Sequence, residues 1–328
     1  MDLAALIIPG SVLEGAHLVV SRARDVVIRT DGLGDIASKI EARLAAGTDD
    51  VEVAFGSAGA LERDVNLVFF ETACNFCFWT GRAEREWTVD VAGRVIGGWY
   101  ALAACFKRAS HVGMPVYDAT WMAELSIGRA GELFAGTGVP IPLIEQRVNN
   151  IVEVANYLLQ KHDGQALNML RSAAFSAPVI AAALARELPS FRDGAWYRGT
   201  WVWVLKRAQI LPSDLAQLST KYPAFQMTDC DRLTAFADYR LPQVLRHFGA
   251  LTYSAGLAAV VDAGTILPSG SAPETEIRAC TIEACEGLKR YLPERSSADI
   301  DLGLWLIGQD MRVDPTLLPH HRTPGQYY

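Results

Sequence analysis

The stretch TAFADYRLPQVLRHFG, residues 234–249, sets a carboxylate between apolar Ala235, Phe236 and Ala237 and the opening of an apolar-faced helix. Asp238 in such a place is either a helix cap or a reagent. Leu241, Val244, Leu245 and Phe248 recur at i, i+3, i+4 and i+7, which predicts the helix. Pro242 suits its first position, so the cap falls on Leu241 and Asp238 stands one turn too early. There it lies near the positive end of the helix dipole, where an anion is favoured. An Asx turn stays open.

WVWVLKRAQIL, residues 201–211, carries the complementary charge: Lys206 interrupts five apolar residues that include two tryptophans. A helix this apolar around its circumference is expected to be mostly buried. Either Lys206 and Arg207 snorkel to solvent, or Lys206 sits inside a pocket and needs a carboxylate to stay charged. Asp238 is the candidate partner.

The elements that position these residues read as helices. LIEQRVNNIVEVANYLLQ (143–160) gathers its apolar residues on one broad face, and residues 163–189 continue in that style, with Pro178 at a boundary or kink. VEVAF and VNLVFFETA, within residues 51–73, are expected to be short strands on propensity. The fold class is therefore mainly α, with a small β element near residues 50–75. Residues 1–328 form a single helical domain, or two lobes around a cleft with its seam near 187–200, where Pro, Asp and Gly cluster.

With 328 residues, 50% hydrophobic and 20% charged, the chain can bury a large core. Its net charge of −7 argues against a protein that neutralises many phosphates, so no nucleic-acid duplex is expected as partner. The longest apolar run, residues 95–106, is too short to span a membrane, and the N-terminus lacks a basic signal-peptide region. A cytoplasmic location is expected. The six cysteines read as buried thiols; Cys74 and Cys77 form a lone C-x-x-C without a second pair, so no metal site is assigned. No phosphate-binding G-x-x-x-x-G-K-[ST] occurs.

CNFCFW (74–79), LKRAQIL (205–211), FADYRLPQVL (236–245), ETEIRAC (274–280) and the ending PHHRTPGQYY together resemble the queuosine salvage protein family, in order and approximate spacing. The resemblance implies a helical fold similar to the helix-hairpin-helix DNA glycosylases, and a queuosine 5′-monophosphate N-glycosylase that releases queuine and ribose 5-phosphate without a cofactor. It makes Lys206 and Asp238 the catalytic pair. Phe76, Phe78 and Trp79 would then stack on the base while Asn75 reads its edge. Arg322, His321, Tyr327 and Tyr328 are candidates for phosphate and ribose, and Arg240 joins them or forms a structural ion pair. Pro324 stands where the family often has a second arginine. In ETEIRAC, Glu276 and Arg278 share a side of an extended segment but oppose each other on a helix. The rival readings are a non-catalytic binding protein for a modified nucleotide or tRNA, and a metal-dependent phosphohydrolase, for which no multi-carboxylate cluster is present.

Overall fold

A computed structural model describes residues 3, 5–47, 58–79 and 86–328. Among them the helices are α1 Gly10–Val20, α2 Leu33–Ala45, α3 Leu61–Ala73, α4 Gly98–His111, α5 Ala119–Ala123, α6 Ile127–Leu133 and α7 Ile144–Lys161. The chain continues through α8 Ala166–Ser172, α9 Ala177–Glu187, α10 Lys206–Ala216, α11 Arg240–His247, α12 Ala255–Asp262, α13 Ala272–Leu288 and α14 Ser297–Asp310. Strands are few, short and antiparallel. β1 (Val26–Ile28) pairs with β7 (Leu251–Tyr253), β2 (Trp87–Val91) lies between β3 (Arg94–Gly97) and β4 (Thr137–Gly138), and β5 (Gly194–Tyr197) pairs with β6 (Thr200–Trp203). The protein is mainly α, and no described helix is long and apolar enough to cross a membrane.

Local chemistry accounts for both the agreements and the corrections. The helix predicted over 143–160 is α7. The 163–189 stretch is two helices, α8 and α9, because Ala174 and Phe175 adopt positive φ between them and Pro178 sits in the first turn of α9. VNLVFFETA is not a strand. It belongs to α3, where every residue from Asp64 to Ala73 is buried, and an element buried all round shows no alternation to separate helix from strand. VEVAF lies outside the described residues. WVWVLKRAQIL is also not one helix: Trp201, Val202 and Trp203 lie in β6, Trp203 facing Gly194 of β5, and the helix starts only at Lys206 after Leu205 turns through φ 57°.

Buried apolar side chains form two clusters. One gathers α3, α4 and α7 to α10; the other gathers α2 and α11 to α14. Residues 72–79 run through the first and are gripped by two buried arginines. Arg147 donates to the carbonyls of Cys74, Phe76 (2.5 Å), Cys77 (2.9 Å) and Pro142 (2.8 Å). Arg207 donates to Ala73 O at 2.6 Å and Ser190 O at 2.5 Å. The segment thus exchanges the usual ladder of backbone partners for guanidinium donors, which satisfy carbonyls that no helix or sheet serves.

Arg147→Met is therefore expected to cost about 3 kcal/mol or more, since it leaves several buried carbonyls unpaired. Urea denaturation measures it; a loss under about 1 kcal/mol would show that other donors replace the guanidinium.

Candidate active site

A cavity of about 380 Å³ opens where the two apolar clusters meet, within the size range of small-molecule sites. Asn75, Phe78 and Trp79 form one wall. Lys206, Ile210 and Asp214 come from α10; Phe236, Asp238, Tyr239 and Arg240 from the approach to α11; Asp301 and Trp305 from α14. Glu86, Trp99, Tyr100, Asp299, Arg312, His320 and Tyr328 also line it.

Lys206 is the first residue of α10 and only 5% exposed. Its backbone N–H donates to Asp193 Oδ2 at 2.9 Å, and the Asp193 carbonyl accepts from Val204 and Leu205, both at 3.0 Å. Asp193 in turn holds Arg278 bidentately, at 2.7 Å on each oxygen. Arg278 reaches onward to Ala237 O, directly before Asp238, and to Tyr327 O, both at 3.1 Å. Glu276 points the other way on α13, to Tyr197 Oη at 2.8 Å and the backbone of Arg24 and Asp25, as helical spacing requires.

Asp238 is both cap and cavity group. Its Oδ1 accepts from Arg240 N at 2.7 Å and Leu241 N at 3.0 Å, which satisfies the N-terminus of α11. The helix begins at Arg240, earlier than Pro242 suggested, so the capping role is real. Among the described residues Oδ2 has no hydrogen bond, and Asp238 lines the cavity. Lys206 and Arg207 do not snorkel: both are buried. Nor does Lys206 form an ion pair with Asp238; its ammonium makes no hydrogen bond or salt bridge among the described residues, and the two charges interact across the cavity. Burial pulls the Lys206 pKa down to about 8, Asp238 pulls it back, and Arg207 and Arg278 lower it further.

Carboxyls dominate one part of the lining. Desolvation raises Asp214 to about 7 against the opposing charge of Lys206. It raises Asp301 well above the ordinary carboxylate range, helped by Asp238. His320 is held down near 4 by burial and lies against Tyr239 and Trp79, with ring centres 4.8 and 5.8 Å away.

Of the residues singled out in the sequence, Lys206, Asp238, Asn75, Phe78, Trp79, Arg240 and Tyr328 meet at the cavity. Phe76 does not: it is fully buried between the guanidinium groups of Arg147 and Arg207, 4.5 and 5.1 Å from its ring. His321 is buried behind Tyr328, with both ring nitrogens unpartnered and its pKa well below normal through burial. Tyr327 offers Arg278 its carbonyl, and Arg322 packs on Gly264, away from the lining. Arg240 is accommodated by Gly308, where a Cβ would meet its stem at 2.5 Å. Sequence reasoning missed Asp214, Asp301, Arg312 and the aromatic group Trp99, Tyr100 and Trp305. Asp214 had one usable signal, its place within KRAQILPSD beside Lys206.

The desolvated ammonium leads to a stability test. A lysine near 8 instead of 10.5 costs the fold about 3 kcal/mol while charged. The wild type binds fewer protons folded than unfolded between those values, so its stability rises with pH there. Lys206→Met should gain about 1–3 kcal/mol below pH 8, and the gain should fade by pH 10.5. Denaturation at pH 7, 9 and 10.5 checks this; no gain at pH 7 would mean that the ammonium is solvated in the cavity.

Residues 57–328 match the family model described as queuosine salvage protein. The chain is 37% identical over 321 residues to a queuosine 5′-phosphate N-glycosylase/hydrolase of Sphaerobacter thermophilus, covering 97% of each chain. It is 32% identical to the mouse protein of that name, over 98% of this chain and 99% of the other, and 25% identical to that of Schizosaccharomyces pombe, over 97% and 99%. With geometry and likeness extending over the same residues, the chain belongs to the queuosine salvage protein family.

Proposed function

We propose that this protein is a queuosine 5′-monophosphate N-glycosylase, which hydrolyses the C1′–N9 bond to release queuine and ribose 5-phosphate. The observation that carries the reading is the pairing, on one cavity, of a desolvated unpaired ammonium, Lys206, with a carboxylate whose second oxygen is open, Asp238. The names of the full-length relatives supply the substrate class. The finer likeness to helix-hairpin-helix glycosylases rests on the sequence resemblance alone, and fold analogy brings no DNA substrate with it.

Cleavage of a glycosidic bond places positive charge on the ribose. Asp238 Oδ2 is the group to meet it, by stabilising the cation and either deprotonating water or bonding to C1′. Queuine has carbon where guanine has N7, so protonation there gives no help and the departing base needs a polar surrounding elsewhere. Phe78 and Trp79 provide aromatic faces for the ring, and the Asn75 amide provides donors and an acceptor for its edge. The phosphate belongs beside Arg240 and Arg312, the lining guanidinium groups, rather than beside Arg322.

Asp238→Asn keeps an oxygen for the Arg240 and Leu241 amides but cannot offset developing cationic charge. It should fold normally and lose about 10³-fold or more in turnover. Mass spectrometry of the products from queuosine 5′-monophosphate reads this out, and retained turnover with a lowered Tm would reduce Asp238 to a cap. Removing Arg240 or Arg312 as Ala should cost the monophosphate about 10- to 100-fold more in kcat/KM than the nucleoside. The reverse pattern, with Arg322→Ala selective for the monophosphate, would return the phosphate to the C-terminal segment.

A further inference from the structure

The two guanidinium groups that line the cavity differ in what already holds them. Arg312 is paired with the Glu86 carboxylate. Arg240 has no salt bridge among the described residues: its Nη1 donates to Gln243 Oε1 at 2.7 Å, and Nε and Nη2 make no hydrogen bond. A guanidinium oriented by a neutral amide keeps its charge unanswered, whereas a carboxylate neutralises the charge it orients. Arg240 therefore meets the cavity as a cation that is aimed but not compensated.

Two residues outside the lining do the aiming. Gly308 of α14 lies against the Arg240 stem, where a Cβ would stand 2.5 Å from Cδ, 2.6 Å from Cγ and 3.0 Å from Val244 Cγ2. Those arginine atoms are stem rather than flexible tip, and Val244 is fully buried, so a methyl group here must displace the arm or α11 itself. Glycine is a poorer helix former than alanine, so what it contributes inside α14 is the room. Gln243, 6% exposed, lies one turn along α11 from Arg240. Its amide nitrogen donates to Leu318 O at 2.7 Å. A carbonyl can only accept, so Leu318 holds the NH₂ end of the amide and turns the oxygen toward Arg240.

We infer that Gly308 and Gln243 are positioning residues for Arg240 and together set the preference of the cavity for a ligand carrying a phosphate monoester. The inference rests on the placement of the phosphate beside Arg240. Gly308 gives the stem its path, and Gln243 fixes the head while leaving its charge for the ligand.

Calorimetry of queuosine 5′-monophosphate and of queuosine tests this in the Asp238→Asn background, where turnover does not consume them, with Gly308→Ala, Gln243→Met or Gln243→Glu added singly. Asp238→Asn alone should bind the monophosphate at least about 10-fold tighter than the nucleoside. Gly308→Ala and Gln243→Met should bring the two ligands within about threefold by weakening the monophosphate. Gln243→Glu keeps an acceptor for Nη1 but adds a counter-charge, so it too should lose the preference, which a purely structural contact would retain. A preference that survives these substitutions overturns the inference, and so do equal losses on both ligands. Should Gly308→Ala not fold, the Gln243 variants decide. Arg240→Ala separates the two levels of the reading. If it leaves the preference intact, the phosphate lies elsewhere and both the placement and the inference fall; if it alone removes the preference, the placement stands and only the positioning fails.

Discussion

The buried pair of Asp193 and Arg278 is the interaction on which the site depends. One carboxylate orients the first turn of α10 through Lys206 N–H, and one guanidinium fixes the carbonyl preceding Asp238 and the carbonyl of Tyr327. Two residues distant in sequence are thus held by neighbouring arms of one ion pair. Such a pair contributes little net stability because desolvation consumes most of its Coulombic gain. Its worth is geometric. Three planar hydrogen-bond directions from one guanidinium leave the strand-to-helix turn and the approach to α11 little freedom relative to each other.

The cavity itself works against the fold. A lysine without a partner, carboxyls raised by burial and an amide with no hydrogen bond are all tolerated around one space. The supporting arginines and Glu276 are far better served: Arg147 and Arg207 donate to seven carbonyls between them, and Glu276 takes three donors. Unpaired charge at the cavity is what a ligand can answer, by supplying the missing partners. Fixed charge of this kind needs no reorganisation when the sugar becomes cationic, which is the advantage of building it into the fold beforehand.

How much of this was legible in the sequence depends on the range of the interaction that sets each feature. Helical periodicity over 143–160 is local and gave α7 within a residue. Lys206 and Asp238 stood out because a charge among apolar neighbours is anomalous in any short window. By contrast, α3 looked like strand because complete burial erases periodicity, and β6 was hidden because its partner β5 decides its conformation. Phe76 and Trp79 are alike in a one-dimensional reading. Only the packing of Arg147 and Arg207 around Phe76 sends one ring inward and leaves the other on the cavity. Arg322 and Arg240 were likewise indistinguishable until the fold placed Gly264 under one and Gly308 beside the other.

Asp238 shows why the opposition between cap and reagent was too narrow. A carboxylate has two oxygens, and two amides at the start of α11 engage only Oδ1. That engagement fixes the side-chain torsions, so Oδ2 is aimed by the same bonds that terminate the helix. Preorganisation at the reacting carbon is then obtained from secondary structure rather than from an added layer of side chains. The consequence is a coupling: anything that frays the first turn of α11 also releases the carboxylate, and α11 is held in place by α14, which carries Asp301 into the same cavity. The stability of that helix pair and the geometry of the cavity are therefore one property of the fold.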